Sequence, residues 1–495
     1  MAIPKVCGIE TEYGIHAAGP DANPVTASSV LVNAYASEVD RRTGWDFEDE
    51  TPEKDARGYA REGAMPPMVE THLANTVLTN GARYYVDHAH PEYSTPECID
   101  PLELVCHDKA GEEIIRRSMV AASNLPTSPV VIAYKNNSDG KGNSYGCHEN
   151  YLMDRSVPFA NVVAGVIPHF VTRQIFAGAG KVGTETTSFG GEQVRYQISQ
   201  RAEFFEEMVG LETTLKRPIV NTRDEPHADP KRFRRLHVIV GDANLAEVAT
   251  FLKVGTTSIV LAMIEDDMMP AKELTLADPV RAMHYVSADL SLSRALRAAD
   301  GSTITALEIQ WEIFAAARRY AKERGLDVIG DEAVGEMVLD RWEGVLHGLE
   351  TDPSTLVQQI DWVAKRNLIE AYRDRHGCNW DDHRLAALDL QYHDLRPERS
   401  LFARLSMERL VSDEAVAEAV TEPPKRTRAW FRGRCLARWP NAVVTANWDS
   451  LVFDLGTDPL RRVPMMDPLK GTAEHTASLL EACENPTELL DRLSS

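Results

Sequence analysis

Alternation of apolar and polar residues along the first third of the chain predicts short β-strands. The segment VCGIETEYGI alternates so that Gly8, Glu10 and Glu12 share one face of a predicted strand, opposite an apolar face. The segment SPVVIAYKNN predicts a second strand, followed by a turn rich in Gly and Asn, and RLHVIVGDANLAE predicts a third that ends at Gly241. Strands with one polar face are typical of antiparallel sheets.

Helical periodicity dominates later parts of the chain. Residues 159 to 176 place apolar residues on one helix face, and residues 306 to 374 include ALEIQWEIFAAARRYAKERG and LVQQIDWVAKRNLIEAYRDRHG. The Pro423–Pro424 pair predicts a boundary, followed by a basic helix, a strand and a helical tail. We therefore expect an α+β fold with a large antiparallel sheet and packed helices in residues 1 to 423, and a small C-terminal domain in residues 424 to 495.

One charged segment interrupts the strand pattern at about residues 40 to 71. It has no sustained apolar period and contains Gly and Pro breakers. Loops of this length are uncommon unless they are functional or disordered. We therefore predict a long mobile loop inserted into the large domain, dispensable for folding because it offers nothing to a core.

The stretch NGARYYVDHAHPEYSTPE, residues 80 to 97, combines several chemical groups. Alternation places Arg83, Tyr85 and Asp87 on one face of a strand, after which the chain turns and presents Glu92. The opposite face can cover a core and holds Tyr84, Val86 and His88. A cation, a phenol and a carboxylate side by side fit either a solvated sheet face or a ligand site, and the stretch alone leaves both open.

Composition limits the classes of function. The chain has 495 residues, of which 43% are hydrophobic and 26% charged, and a net charge of −22, which argues against a general nucleic-acid binder. No apolar run approaches the roughly 20 residues that span a bilayer, and no signal peptide is visible. Seven cysteines without a C-x-x-C pair fit reduced thiols, so we expect a cytoplasmic protein with neither a membrane nor a nucleic acid as partner.

Two local patterns have competing interpretations. Basic clusters at residues 424 to 439 and 231 to 237 fit an anionic ligand, either a nucleotide or an acidic polypeptide, or a solvated helix face. The run from Gly178 to Gly183 matches G-x-G-x-x-G, but it follows a helical segment and precedes no helix. Because the dinucleotide motif needs strand, turn and helix in that order, we predict a flexible loop there.

Acidic and imidazole groups recur at predicted strands and strand ends. Glu10, Glu92, His148 and His237 have Gly or polar neighbours that leave room for a ligand. Carboxylates with one or two histidines suit Mg²⁺ or Mn²⁺ better than zinc. Any one of these histidines taken alone is more often a core or surface residue than a metal ligand.

Long motifs along almost the whole chain resemble those of the pupylation enzymes. They are GIETEYG, NGARYYVDHAHPEYSTPEC, YKNNSDGKGNSYGCHENYL, SQRAEF, NTRDEPHADPKRFRRLHVIVGDANLAE and ANWDSLVFD. This family contains the ligase and the deamidase/depupylase that act on Pup, the prokaryotic ubiquitin-like protein. The resemblance implies a glutamine synthetase-like fold, in which a curved antiparallel sheet holds ATP and metal and a small C-terminal domain follows.

The resemblance also implies roles for individual residues. The implied metal ligands are Glu10, Tyr85, Glu92, His148 and His237. The implied nucleotide contacts are Arg83, Thr95, Asn150 and Trp448, and Asp87 falls at the catalytic position.

Two features favour the hydrolase branch. The spacing from Asp87 to Glu92 is shorter than the corresponding spacing in the ligase, where the motif resembles D-V-G-S-H-P-E. The charged insertion also resembles a loop of the deamidase/depupylase that the ligase lacks. The resemblance thus implies an ATP- and Mg²⁺-dependent enzyme that converts the C-terminal Gln of Pup to Glu and cleaves the isopeptide bond in pupylated proteins. A link to the bacterial proteasome follows. The alternatives are the Pup ligase and an inactive Pup-binding adaptor.

Overall fold

The computed structural model describes residues 1–18, 23–39, 43–48, 50–58, 74–126, 129–187, 194–456 and 458–494. The strands are β1 (Cys7–Glu12), β2 (Gly14–Ala18), β3 (Gly44–Trp45), β4 (Asn75–Val77), β5 (Arg83–Asp87), β6 (His90–Ser94), β7 (Val130–Tyr134), β8 (Cys147–Asp154), β9 (Lys181–Val182), β10 (Tyr196–Gln197), β11 (Phe205–Gly210), β12 (Arg217–Asn221), β13 (Phe233–Val238), β14 (Leu296–Arg297), β15 (Thr303–Ile304), β16 (Val443–Ala446), β17 (Ser450–Phe453) and β18 (Arg461–Pro464). The helices are α1 (Pro24–Glu38), α2 (Pro101–Ser123), α3 (Phe159–Thr172), α4 (Gln174–Ala177), α5 (Glu247–Glu265), α6 (Pro279–Ala288), α7 (Ala306–Arg324), α8 (Glu332–Thr351), α9 (Asp361–His376), α10 (His383–Tyr392), α11 (Asp413–Ala419), α12 (Ala429–Arg438), α13 (Ala473–Ala482) and α14 (Pro486–Ser494).

The main sheet has the strand order β13-β8-β1-β6-β5-β4. Each neighbouring pair in it is antiparallel, which confirms the predicted large antiparallel sheet and the α+β class. Its register places Glu10 opposite both His148 and Ser94, and Tyr85 opposite Glu92. The acidic and imidazole residues of distant segments therefore meet in the middle of one sheet.

Helices cover the apolar face of this sheet. The predicted helix at residues 159 to 176 is present as α3 and α4, and α7, α8 and α9 occupy the periodic segment 306 to 374. Helix α5 is long and apolar enough to cross a membrane, but it is buried on every side inside the protein. A helix that is buried on every side has no marked amphipathic period, which explains why the sequence pattern missed it.

The charged insertion is partly structured, contrary to the loop prediction. Strand β3 pairs in parallel with β16, so it becomes the edge of the small sheet β18-β17-β16-β3 of the C-terminal segment. Trp45 is buried in the core of that segment beside Phe431 and Leu436. The insertion therefore contributes an anchor to the core, and its deletion as a whole would remove that anchor. Residues 59 to 71 lie outside the described residues, and the domain boundary at residue 423 stays a prediction.

The predicted flexible glycine loop is also wrong. Ala179 is inaccessible, and a Cβ added to Gly180, whose φ is +72°, would lie 2.1 Å from Tyr196 Oη. Lys181 continues into β9, which pairs with β10. Gly178 and Gly180 therefore permit close packing in the interior, whereas a Cβ added to Gly183 would meet no atom within 4 Å.

Candidate active site

The polar face of the main sheet forms a pocket to which β1, β5, β6, β8 and β13 contribute side chains. Alternation along β5 works as predicted: Arg83, Tyr85 and Asp87 line the pocket, whereas the residues between them are buried in a core on the other side. His88 departs from the prediction that it covers a core. Its φ of 51° ends the strand, and its side chain is exposed at the mouth of the pocket.

Glu10, His148 and His237 form the first group of candidate metal ligands. One ligand atom from each lies within 4.8 Å of the other two. The two imidazole rings meet edge to face with centroids 5.0 Å apart, and His148 Nδ1 lies 3.6 Å from Glu10 Oε2. Burial raises the pKa of Glu10, but the hydrogen bond with His148 and the charge of Arg235 outweigh it and hold the pKa well below its usual range. Glu10 is therefore ionised at neutral pH.

Asn150 orients this first group. Its Nδ2 donates to Glu10 Oε1 at 2.9 Å, which fixes its Oδ1 as the acceptor 3.0 Å from His237 Nδ1. Burial and the charge of Arg235 lower the pKa of His237 well below its usual range, so the ring is neutral. With the proton on Nδ1, the buried Nε2 presents a lone pair, and it has no hydrogen-bond partner among the described residues. A histidine held in this way fits a metal ligand.

A second group combines Glu12, Asp87 and Glu92, whose oxygens also lie within 4.8 Å of one another. Among the described residues, no Lys or Arg nitrogen lies within 4.0 Å of these carboxylates. Burial and the charges of Asp87 and Glu12 raise the pKa of Glu92 well above its usual range. Three clustered carboxylates fit a hard cation such as Mg²⁺, because it takes oxygen ligands and relieves their repulsion.

Glu12 shares the polar face of β1 with Glu10 but is not among the predicted metal ligands. Gly146 N donates to its Oε1 at 2.9 Å, and His90 Nδ1 lies 3.3 Å from its Oε2. Burial raises the pKa of Glu12, but His90 and His148 outweigh that effect and lower the pKa to about 2. Glu12 is thus ionised at neutral pH.

Aromatic rings hold Arg83 at the wall of the pocket. Its guanidinium carbon lies 3.9 Å from the centroid of Trp45 and 3.8 Å from that of Tyr85, and its Nε donates to Asn75 Oδ1 at 3.2 Å. Stacked in this way, the guanidinium leaves its remaining donors for an anion. Burial and the charge of Glu92 raise the pKa of Tyr85 well above its usual range, so the phenol is neutral.

A second pocket adjoins the first and shares Glu10, Arg235 and Trp448 with it. Strands β1 and β8 form its floor, with Asn150 and Thr95 among the lining residues. Thr95 Oγ1 accepts a hydrogen bond from Ile9 N at 3.0 Å, which fixes the side chain. The predicted nucleotide contacts Thr95, Asn150 and Trp448 therefore meet in one cavity, while Arg83 lies in the adjoining pocket. Their roles stay predictions.

The basic cluster at residues 231 to 237 divides between surface and site. Arg232 is exposed and pairs with Asp467 at 2.8 Å. Arg235 is buried in the site, where its NH1 donates to Asn150 Oδ1 at 2.8 Å and lies 3.7 Å from Glu10 Oε1. The sequence marked the cluster but not the member that turns inward. Other pocket residues that were not singled out are Arg223, Glu225 and His227.

The cluster at residues 424 to 439 is not an open basic surface. Arg428 and Arg432 are buried against Glu97, and Arg434 pairs with Glu422 at 2.9 Å. Arg426 donates to Gly330 O. The interpretation of this run as a binding surface for an acidic polypeptide is therefore wrong for the two buried arginines, which join the C-terminal segment to the chain that follows β6.

Comparison with known proteins gives consistent matches. The Pup-ligase protein family matches residues 5–452. The chain is 52% identical to the depupylase of Acidothermus cellulolyticus, covering 99% of each chain, and 46% identical to the Pup deamidase/depupylase of Mycolicibacterium smegmatis, covering 99% of this chain and 100% of that one.

Two solved structures agree with these matches. The complex of Pup with its ligase PafA superposes with a TM-score of 0.80 at 34% identity, over 99% of this chain and 94% of that one. PafA in complex with ADP superposes with a TM-score of 0.74 at 38% identity, over 82% of this chain and 89% of that one. They confirm the predicted glutamine synthetase-like fold, and the names of the relatives bear out the prediction of a hydrolase of the deamidase/depupylase type. The chain belongs to the Pup-ligase protein family of pupylation enzymes.

Proposed function

We propose that this chain is an ATP- and Mg²⁺-dependent amidohydrolase that deamidates the C-terminal Gln of Pup and cleaves the isopeptide bond between Pup and a substrate lysine. The observation that carries the proposal is the position of Asp87. It lies within 4.8 Å of Glu12 and Glu92, at the open end of a pocket whose depth holds Glu10, His148 and His237. Both reactions break an amide at the same side-chain carbon, so one carboxylate in one pocket serves both.

The donor groups fit Mg²⁺. Glu10, His148 and His237 would hold one ion, as the unpartnered Nε2 of His237 supports, and Glu12 and Glu92 would hold another. When bound, such ions stabilise negative charge on phosphate or carbonyl oxygens. The adjoining cavity with Thr95, Asn150 and Trp448 suits a nucleotide, and the ADP complex of the related PafA supports that assignment.

Asp87 supplies the reacting oxygen in this proposal. Its side chain is 40% exposed, so a substrate can reach it, and His88 Nδ1 lies 3.1 Å from its Oδ2, which leaves Oδ1 to face the pocket. An ionised carboxylate there either attacks the amide carbon or takes a proton from water. Arg83 provides a fixed cation for the anion that binds beside it.

The substrate is proposed from the relatives. One solved relative is a complex with Pup, and full-length relatives carry the names depupylase and Pup deamidase/depupylase. The ligase alternative keeps support because related PafA structures share the fold. The adaptor alternative is disfavoured because both acidic groups and the catalytic Asp87 are present.

One assay separates the three functions. The protein is mixed with ATP, Mg²⁺ and Pup ending in Gln, and in parallel with a Pup conjugate and with Glu-ended Pup plus a target protein. We expect release of ammonia from the first and of the free target from the second. Conjugation of the Glu form would establish the ligase instead, and binding without any reaction would establish the adaptor.

A further inference from the structure

Two arginines, Arg432 in helix α12 and Arg428 just before the helix, bind one carboxylate of the large domain. Arg428 Nε donates to Glu97 Oε1 at 2.7 Å, and Arg432 contacts both oxygens of the same carboxylate. The side chain of Arg432 is inaccessible, and that of Arg428 is 3% exposed. A carboxylate bound by two buried guanidinium groups has a defined geometry, because each planar group donates in fixed directions.

Arg432 joins three separate segments. Besides Glu97, it donates to Gly81 O at 2.8 Å, in the turn before β5, and to Trp448 O at 3.0 Å, in the turn between β16 and β17. Its guanidinium carbon also lies 5.1 Å from the centroid of the Trp448 ring. The backbone and the ring of Trp448 are therefore both held by a side chain that does not itself line the cavity next to β1.

Arg428 holds the same wall from the other side. Its NH1 donates to His227 O at 2.7 Å and to Met465 O at 2.8 Å. His227 and Trp448 both line the cavity next to β1, so the two arginines fix two of its walls relative to each other.

The packing under helix α12 leaves no room for adjustment. A Cβ added to Gly433 would lie 2.2 Å from Thr79 O, and one added to Gly81 would lie 3.1 Å from Ala429 Cβ. The helix thus touches the backbone of the turn before β5 directly. A change in the arginine contacts therefore moves Trp448 more readily than it moves the helix.

We propose that Arg432 is a positioning residue for the nucleotide, which acts through Glu97 and Trp448 by holding the small domain's wall of the cavity in place. The inference rests on the proposed function, because it takes the cavity next to β1 as the nucleotide site. It adds a residue that sets nucleotide affinity without touching the nucleotide.

The test uses Arg432→Lys, which keeps the positive charge but cannot reach Glu97, Gly81 O and Trp448 O together. We expect the Kd for ADP with Mg²⁺, measured by calorimetry, to rise about tenfold, and kcat at saturating ATP to change less than about twofold. In protein labelled with 5-fluorotryptophan, the ¹⁹F resonance assigned by Trp448→Phe should move, whereas that of the core residue Trp342 should not.

Matched variants separate positioning from general damage. Arg434→Lys lies on the same helix, half-exposed and paired with Glu422, and should leave the Kd and the Trp448 resonance unchanged. Glu97→Gln should also move the Trp448 resonance, so the test survives if Arg432→Lys fails to fold; its Kd is not compared, because Glu97 itself lines the cavity. A Kd within twofold of wild type, with the Trp448 resonance unmoved, would overturn the positioning role. A wild-type protein that binds no ADP would instead overturn the proposed nucleotide site.

Discussion

The two acidic groups of the pocket differ in how their charge is balanced. Glu10 has two histidines and Arg235 beside it, and its pKa is held well below the usual range despite burial. Burial and the charges of Asp87 and Glu12 disfavour the ionised form of Glu92, so its pKa is raised well above the usual range. Glu10 and Glu92 lie on neighbouring strands of one sheet, yet the charge of Glu10 is balanced by the protein and that of Glu92 is not.

The group around Glu10 already has its metal-ligand atoms in fixed positions, whereas the group around Glu92 needs a cation to balance its charge. In the first, Asn150 and Arg235 already fix the donor atoms, so a metal adds little reorganisation. In the group of Glu12, Asp87 and Glu92, the carboxylates repel one another until a cation binds between them or one of them takes up a proton. Variants in each group should therefore fail in different ways.

The largest effect is expected at Asp87. Asp87→Asn keeps the shape of the side chain but removes the charge that we propose as nucleophile or base, so the kcat for deamidation and isopeptide cleavage should fall roughly 10²–10⁴-fold. Binding of ATP and Pup should change little. Single-turnover assays together with calorimetry measure both quantities. A kcat above about a tenth of wild type would remove Asp87 from the chemistry.

Glu97, which lines the adjoining cavity next to β1, provides the reference for a carboxylate whose charge is fully balanced. Burial raises its pKa, but the charges of Arg432 and Arg428 outweigh this and lower it to about 2. A depressed pKa stabilises the fold above the unfolded-state pKa of about 4.3, and the stabilisation is lost as pH falls toward 2. Glu97→Gln should therefore cost about 3 kcal/mol at pH 7. Urea unfolding at pH 7 and pH 3.5 should show the gap between variant and wild type narrowing on acidification; a constant gap would contradict the assignment.

A smaller effect is expected when Asn150, which orients Glu10 and His237, is replaced. Asn150→Ala leaves Glu10 and His237 in place but no longer fixes the ring and the carboxylate, so Mn²⁺ affinity should fall roughly 10–100-fold. Electron paramagnetic resonance titration with Mn²⁺ measures it. The exposed Asn161→Ala on helix α3 is the matched control. Unchanged affinity in Asn150→Ala would show that the first group needs no orienting residue.

The smallest expected effect is an increase in stability. Glu92→Gln removes one of the repelling carboxylates, so in EDTA the variant should be more stable than wild type by about 1 kcal/mol. Addition of Mg²⁺ should raise the melting temperature of wild type more than that of the variant. Thermal unfolding with and without Mg²⁺ tests this. A metal-free variant that melts below wild type would mean that Glu92 is balanced by a partner after all.

Alternation along single strands was enough to predict much of the site. It correctly placed Glu10 on the polar face of β1, and Arg83, Tyr85 and Asp87 on that of β5. It could not show that Glu12 faces Asp87 and Glu92, because that contact depends on the register between strands far apart in sequence. The roles of the site residues came from the motif resemblance and not from alternation.

The errors have a common physical origin in long-range contacts. Trp45 lies in a charged segment without periodicity, and only the pairing of β3 with β16 buries it. The arginines in and just before α12 form a basic run in sequence, and Glu97, more than 300 residues away, is among the partners that hold two of them inside the protein. Local patterns carry no information about such partners.

Because the edge strand β3 pairs with a strand near the C-terminus, the cavity beside β1 can be completed only late in synthesis. Thr43 Oγ1 donates to Val443 O across 400 residues of chain, so the small sheet cannot close while the C-terminal segment is still in the ribosome. At typical translation rates those residues take roughly 20 to 80 s to make. During this interval Trp45 lacks its core and β3 is an unpaired edge open to non-native pairing. The cavity beside β1 therefore gains its Trp448 wall only after nearly the whole chain has emerged.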